Sequence, residues 1–182
     1  MSTILEQIYN EKEEDDIVIL SAGHAGLSQY VQIEHHSNNK INAEDMLESM
    51  GIHPKIDRER GIFCSSGSLG CGILVAVGFA LANKNRKVYC ALSDGECAEG
   101  SVWEALAFCE KNKLDNIIIH VNINGFSAYD EVDRSYLENR LRIFFPRIHI
   151  HQTTNPYLLG GLNAHYHVLK THEEVEKLME EI

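Results

Sequence analysis

The sequence predicts an α/β fold, a mostly parallel sheet with helices on both faces, and three observations carry that prediction. Residues 17–20 and 88–92 are continuous apolar runs and 117–121 is interrupted only by His120, as strands buried on both faces require. Residues 101–113, between the second and third runs, carry Val102, Leu106 and Cys109 along one helical face. Strand, loop, helix and strand at this spacing form a right-handed βαβ unit, which implies parallel pairing under covering helices.

In chain order, Ile4, Leu5 and Ile8 space a short helix over residues 1–10, and the acidic run 11–16 reads as a solvated turn. The first strand ends in Ser21-Ala22-Gly23-His24, the kind of strand-to-loop transition at which open α/β sheets place ligands. Residues 42–50 read as a helix ended by Gly51, and Pro54 and Gly61 make the stretch after His53 irregular. A glycine-rich segment, residues 65–72, feeds residues 73–83, which are small and apolar on nearly all faces and so expected between layers. The strand at 88–92 leads into the turn Ser93-Asp94-Gly95-Glu96. Beyond Asn124-Gly125 the pattern weakens to an amphipathic helix at 136–144, strands at 148–151 and 166–169, and a C-terminal helix at 173–181. No repeat or Ser/Gly-rich linker divides the chain, so residues 1–182 are expected to form a single domain.

Composition excludes several classes. A chain of 182 residues, 44% hydrophobic and 24% charged, suits one globular domain with its own core. Twenty-seven acidic against sixteen basic residues give a formal charge of −11 with no basic stripe, so nucleic acid is not an expected partner. The longest apolar stretch, 73–82, is too short to span a bilayer, and the N-terminus lacks a secretory pattern. No membrane association and a cytoplasmic location are therefore expected. Five cysteines without a C-x-x-C pair point to reduced, mostly buried thiols rather than a disulfide framework or a zinc ribbon.

The sharpest chemical feature is the pairing of Asp94 with Asn124 at the ends of neighbouring strands. A carboxylate and an amide carbonyl are hard oxygen ligands that suit octahedral Mg²⁺, and Gly95 admits a pyrophosphate close to the main chain. The three glycines within residues 66–72 suit phosphate binding or close helix packing equally, and match neither a P-loop nor a dinucleotide fingerprint. His24 and His53 lie in loops with small neighbours, where each is a candidate catalytic residue, facing a cleft as proton donor or phosphate partner, or simply faces solvent. The other histidines, His35, His36, His120, His149, His151, His165, His167 and His172, form no ligand pattern. Glu96 and Glu99 precede a helix, and capping is the simpler account of both.

Together these stretches resemble the thiamine-diphosphate-binding (pyrophosphate-binding) domain of transketolase, in the form of a separate N-terminal subunit. IVILSAGHA at 17–25 resembles the family's LS-x-GH loop, and CSSGSLGCG at 64–72 its TTG-x-LGQG loop. SDGECAEG followed by VWEA resembles GDGE-x-x-EG-x-VWEA, and KLDNIIIHVNING resembles the KLDN strand and the asparagine that completes the cofactor motif. The resemblance runs from about Ile17 to about Phe126 and implies thiamine diphosphate and Mg²⁺ as cofactors. It implies Asp94, Asn124 and the Phe126 carbonyl as metal ligands, and Gly95, Glu96 and His24 near the diphosphate. Gly67 and Leu69 are implied against the cofactor rings, His53 against the donor sugar's hydroxyls, and Glu99 between the two cofactor sites of a dimer.

The implied reaction moves a two-carbon ketol unit between sugar phosphates or related sugars, with the carbanion supplied by the cofactor's thiazolium ring. The implied partner is a transketolase C-terminal subunit bearing the pyrimidine-binding domain, in a homodimer or heterotetramer. The family's SGHPGG segment would lie before Met1. Ser93 stands for a glycine of GDG, Cys71 for the glutamine of LGQG and Asn122 for an aspartate, while residues 127–146 have no clear counterpart. Arg134, Arg140, Arg142 and Arg147 read either as a site for an acidic sugar or as the solvated face of a helix. The competing readings are a thiamine-diphosphate subunit of a 2-oxoacid-type enzyme and an inactive scaffold for a partner.

Overall fold

The computed structural model describes residues 1–127, 130–154 and 168–181. Four parallel strands, β1 (Ile17–Leu20), β2 (Val88–Ser93), β3 (Ile117–Ile123) and β4 (His149–Gln152), lie side by side in sequence order. The register pairs Leu20 with Ala91, Ser93 with Asn122, and Asn122 with His151, so the C-terminal strand ends line up along one edge of the sheet.

Strand alternation builds two cores. Ile17, Ile19, Cys90, Leu92, Ile119 and Val121 face α4 (Gly72–Ala82), α5 (Gly100–Lys111) and α6 (Arg134–Phe144). Val18, Leu20, Tyr89 and Ala91 face α1 (Ser2–Glu11), α2 (Gly26–His36) and α3 (Ala43–Met50). Each large aliphatic side chain buried here contributes roughly 1.5–3 kcal/mol, which is why the central strands are mostly apolar, with His120 and Asn122 of β3 and Ser93 of β2 as their buried polar residues. The chain crosses from one face to the other between α3 and α4, and the site lies beside that crossing.

The predicted elements recur with small shifts in their ends, and α7 (His172–Glu181) matches the expected C-terminal helix. Asn42 caps α3 by accepting the Asp45 amide at 3.0 Å, and Gly51 ends that helix at φ +78°. Three expectations change. Helix α2 was not expected; it buries Gly26, Gln29, Tyr30 and Ile33, a pattern too polar for hydrophobic periodicity to register. Helix α4 is not buried all round: Leu74 and Leu81 are 47% and 44% exposed, because the helix forms the outermost layer and has no polar face to turn outward. The strand expected at 166–169 begins outside the described residues, and Val168 and Leu169 are not in a strand. No helix among the described residues is long and apolar enough to cross a membrane.

Candidate metal and cofactor site

Asp94 opens the 3-10 turn that follows β2 and is 3% exposed. Its Oδ2 accepts the Asn124 amide at 2.9 Å and the Gly125 amide at 2.8 Å, while Oδ1 accepts the Gly95 amide at 3.1 Å. The acid of one strand end is thereby joined to the turn of the next. In that turn the Asn124 Oδ1 accepts the Phe126 amide at 2.9 Å, and Gly125 takes φ +91°, a conformation that suits glycine. Burial pushes the Asp94 carboxyl above its ordinary pKa, against the opposing pull of its backbone donors.

These residues fit a divalent cation. Among the described residues Asp94 forms no ion pair, so a buried carboxylate carries its charge on N–H donors alone. Among the same residues no group of three His, Cys, Asp or Glu side chains is placed to hold a metal, so a ligand set here must draw on amide and main-chain oxygens. Asn124 and Phe126 offer both kinds, and all-oxygen sets suit Mg²⁺.

Glu96 follows two residues later with its side chain turned inward and fully buried. It accepts the Ser21 hydroxyl from the end of β1, the Gly70 amide at 3.2 Å from the glycine-rich loop, and the Ser93 amide at 3.0 Å. Burial raises its pKa while these bonds oppose the rise. Ser93 and Glu96 close a capping box, so the Glu96 amide is donated to the Ser93 side chain. Serine at this position thus closes the cap through its side chain, which a glycine could not do. Neither Ser21 nor Ser93 is singled out by the sequence as an organiser of the site; S-x-x-E signals the Ser93 cap, whereas Ser21 reaches Glu96 only through the fold.

The glycine-rich loop closes against two others. A Cβ on Gly23 would lie 2.6 Å from the Gly67 nitrogen and 3.0 Å from the His53 ring, and one on Gly67 would lie 3.3 Å from that ring. Gly67 takes φ +126°. The structure therefore brings His53, Gly67 and the turn bearing His24 into one loop cluster, with both histidines exposed and Leu69 half-buried. Glu99 is exposed at the start of α5, and a Cβ on Gly70 would lie 2.8 Å from its Cβ.

The four arginines separate. Arg142 pairs with Glu138, and Arg147 with Asp115 and Glu110, as surface side chains do. Arg140 stacks over Trp103 at 3.8 Å and lines a cleft of about 270 Å³ that also touches Asp94, Ser127 and Asp133. Arg134 turns onto the Asn124 turn and donates to the Asn124 carbonyl. Away from the site, His120 of β3 stacks on His149 and shares a 2.9 Å nitrogen contact with His151.

A family model described as the thiamine diphosphate binding domain of transketolase matches residues 7–148. Transketolase of Homo sapiens is 34% identical over 125 residues, covering 64% of this chain and 20% of that protein. The 6-deoxy-6-sulfo-D-fructose transketolase subunit SqwG of Clostridium sp. (strain MSTE9) is 34% identical over 119 residues, 61% of this chain and 43% of that subunit. Among solved structures, transketolase from Campylobacter jejuni subsp. jejuni NCTC 11168 superposes with a TM-score of 0.66 at 28% identity, over 79% of this chain and 26% of that one. The chain spans about a fifth of the length of the curated transketolases it matches.

Proposed function

This chain belongs to the transketolase thiamine-diphosphate-binding domain family, and from that membership we propose that it is one subunit of a split, transketolase-like transferase. It binds thiamine diphosphate with Mg²⁺ and acts in moving a two-carbon ketol unit between sugar phosphates or related sugars. The observation that carries this reading is that Asp94 Oδ2 accepts the Asn124 and Gly125 amides, which ties together the two strand-end turns that bear the candidate oxygen ligands.

In this reading the Asp94 and Asn124 side chains and the Phe126 carbonyl hold the cation. The Gly95 and Glu96 amides reach the diphosphate by trading their present partners, Asp94 and Ser93, with His24 beside them. Gly67 and Leu69 back the cofactor rings, His53 faces the donor sugar's hydroxyls, and Glu99 links to the second site of a dimer. When bound, the cofactor supplies the nucleophilic carbon needed to break the bond next to a ketose carbonyl.

A second chain carrying the pyrimidine-binding domain completes the site, in a homodimer or heterotetramer. Two observations support a split enzyme: the relative SqwG is named as a subunit, and α4 and α5 turn Leu74, Leu81 and Phe108 outward, 41–47% exposed. A single domain over residues 1–182 and a reducing, cytoplasmic setting accord with the one sheet among the described residues and with five unpaired cysteines.

Calorimetric titration of thiamine diphosphate with Mg²⁺, into the chain alone and into the chain with a candidate partner, tests the proposal. Saturable heat that needs the metal and disappears in Asp94→Ala is the expected result. Silence in both arms would overturn it in favour of the scaffold reading.

A further inference from the structure

We propose that Arg134 is a positioning residue for the cation-binding turn, clamping the peptide plane between Asn124 and Gly125. The inference rests on the reading of Asp94, Asn124 and Phe126 as the cation's ligands. That plane is held at both ends by charged groups. Its N–H, on Gly125, points to the Asp94 carboxylate at 2.8 Å, and its carbonyl, on Asn124, accepts from the Arg134 guanidinium. Hydrogen bonds in which one partner is ionised are the stronger kind, and here an anion and a cation pull on opposite ends of one amide.

Such a clamp has a physical purpose at this position. Gly125 takes φ +91° and has no Cβ to resist rotation, so the plane before it is the one most able to flip. A flip would turn the Asn124 carbonyl toward Asp94 and pull the Gly125 amide away from it. Arg134 lies against the same glycine: a Cβ on Gly125 would sit 2.7 Å from its Nε and 3.2 Å from its Nη2. The next carbonyl, that of Gly125, accepts the Val132 amide at 2.8 Å, and the Phe126 amide is taken by the Asn124 side chain. Among the described residues the Phe126 carbonyl alone in this turn is left without a hydrogen-bond partner. It is the main-chain oxygen assigned to the cation.

When a divalent cation draws on the Asp94 carboxylate, the anionic end of the clamp weakens and Arg134 remains as the anchor. Arg134 thus acts through the turn, with its guanidinium on the Asn124 main-chain carbonyl. A lysine keeps the charge and one donor but not the planar fork that lies against Gly125, so it restores the function in part.

The test compares Arg134→Met and Arg134→Lys with the wild-type chain in two measurements. The first is Mn²⁺ affinity in the presence of thiamine diphosphate, read by calorimetry. The Met variant is expected to bind about 10- to 100-fold more weakly, as for other residues that orient metal ligands, and the Lys variant to recover part of the loss. The second is hydrogen exchange at the Gly125 amide in cation-free protein, which is expected to lose protection in the Met variant while amides of β2 and β3 keep theirs. Unchanged Gly125 protection, or Mn²⁺ affinity equal to wild type in Arg134→Met, overturns the inference. If the wild-type chain binds no cation even with a candidate partner present, the functional reading fails by itself, and the exchange measurement still decides whether Arg134 holds the turn.

Discussion

Ser21 donates its hydroxyl to the Glu96 carboxylate across 75 positions of sequence, joining the end of β1 to the turn after β2. Gly70 and Ser93 add their amides to the same two oxygens. Glu96→Ala strands all these donors in a buried place and is expected to cost on the order of 3 kcal/mol. Glu96→Gln keeps one accepting oxygen and should lose less. Urea unfolding of the two variants checks the order, and equal midpoints for wild type and the Ala variant would refute it.

Two glycines of α4 make opposite predictions. A Cβ on Gly72 would fall 2.6 Å from the Ser21 Cβ, so Gly72→Ala overpacks the junction and should cost about 1–3 kcal/mol. Gly78 has nothing within 4 Å of its would-be Cβ, so Gly78→Ala should gain up to about 1 kcal/mol from helix propensity alone. Thermal melts of the pair settle both signs.

Acid sensitivity follows from the histidines of β3 and β4. Burial, then the neighbouring His149 and His151, lower the His120 pKa from 6.5 to about 4, and His151 is lowered in turn by burial, His149 and the amino terminus. The unfolded chain therefore binds protons that the folded chain refuses. The stability is fully present above pH 6.5 and is lost as pH falls from there toward about 4. Melting temperature measured against pH should show this limb, and His120→Asn should flatten it; an unchanged slope in that variant would count against His120 as the source.

Thiol reactivity separates the cysteines. Cys71 is exposed while Cys64, Cys90, Cys97 and Cys109 are buried, and burial lifts Cys109 to about 11. An aromatic disulfide reagent should titrate about one thiol quickly in the folded chain and all five in urea. Cys71→Ser should remove the fast phase.

What the sequence made legible was whatever periodicity and residue chemistry record locally. The apolar runs of β1 to β3, the cap at Asn42 and the meeting of Asp94 with Asn124 all follow from neighbours in the chain and from parallel strand order. Helix α2 was hidden because its inward face includes Gly26 and Gln29, the latter bonded to the Tyr9 hydroxyl rather than packed on apolar carbon. The outward face of α4 was hidden for the opposite reason, since an apolar side chain reads alike whether it meets core or solvent. In the sequence Arg134 reads only as a sugar-binding or solvated side chain, because its contact with Asn124 exists only once residues 130–134 fold back on the turn. Glu96 reads in the sequence as a cap and a main-chain donor, whereas its carboxylate reaches Ser21 and Gly70 through tertiary contacts.

The strand order also dictates an order of assembly. β2 to β4 are joined by single short crossovers, whereas β1 must wait until residues 21–87 have been made before β2 exists to receive it. Closing that long loop carries the largest entropy cost of the sheet's pairings, so β1 is expected to dock after β2 and β3 have met. During synthesis this places an apolar segment, Ile17–Leu20, outside the ribosome with both edges bare for longer than any other strand. It is the stretch a chaperone would shield, and its docking is the event that first brings Ser21 to Glu96 and so assembles the loop cluster around Gly67 and Gly70.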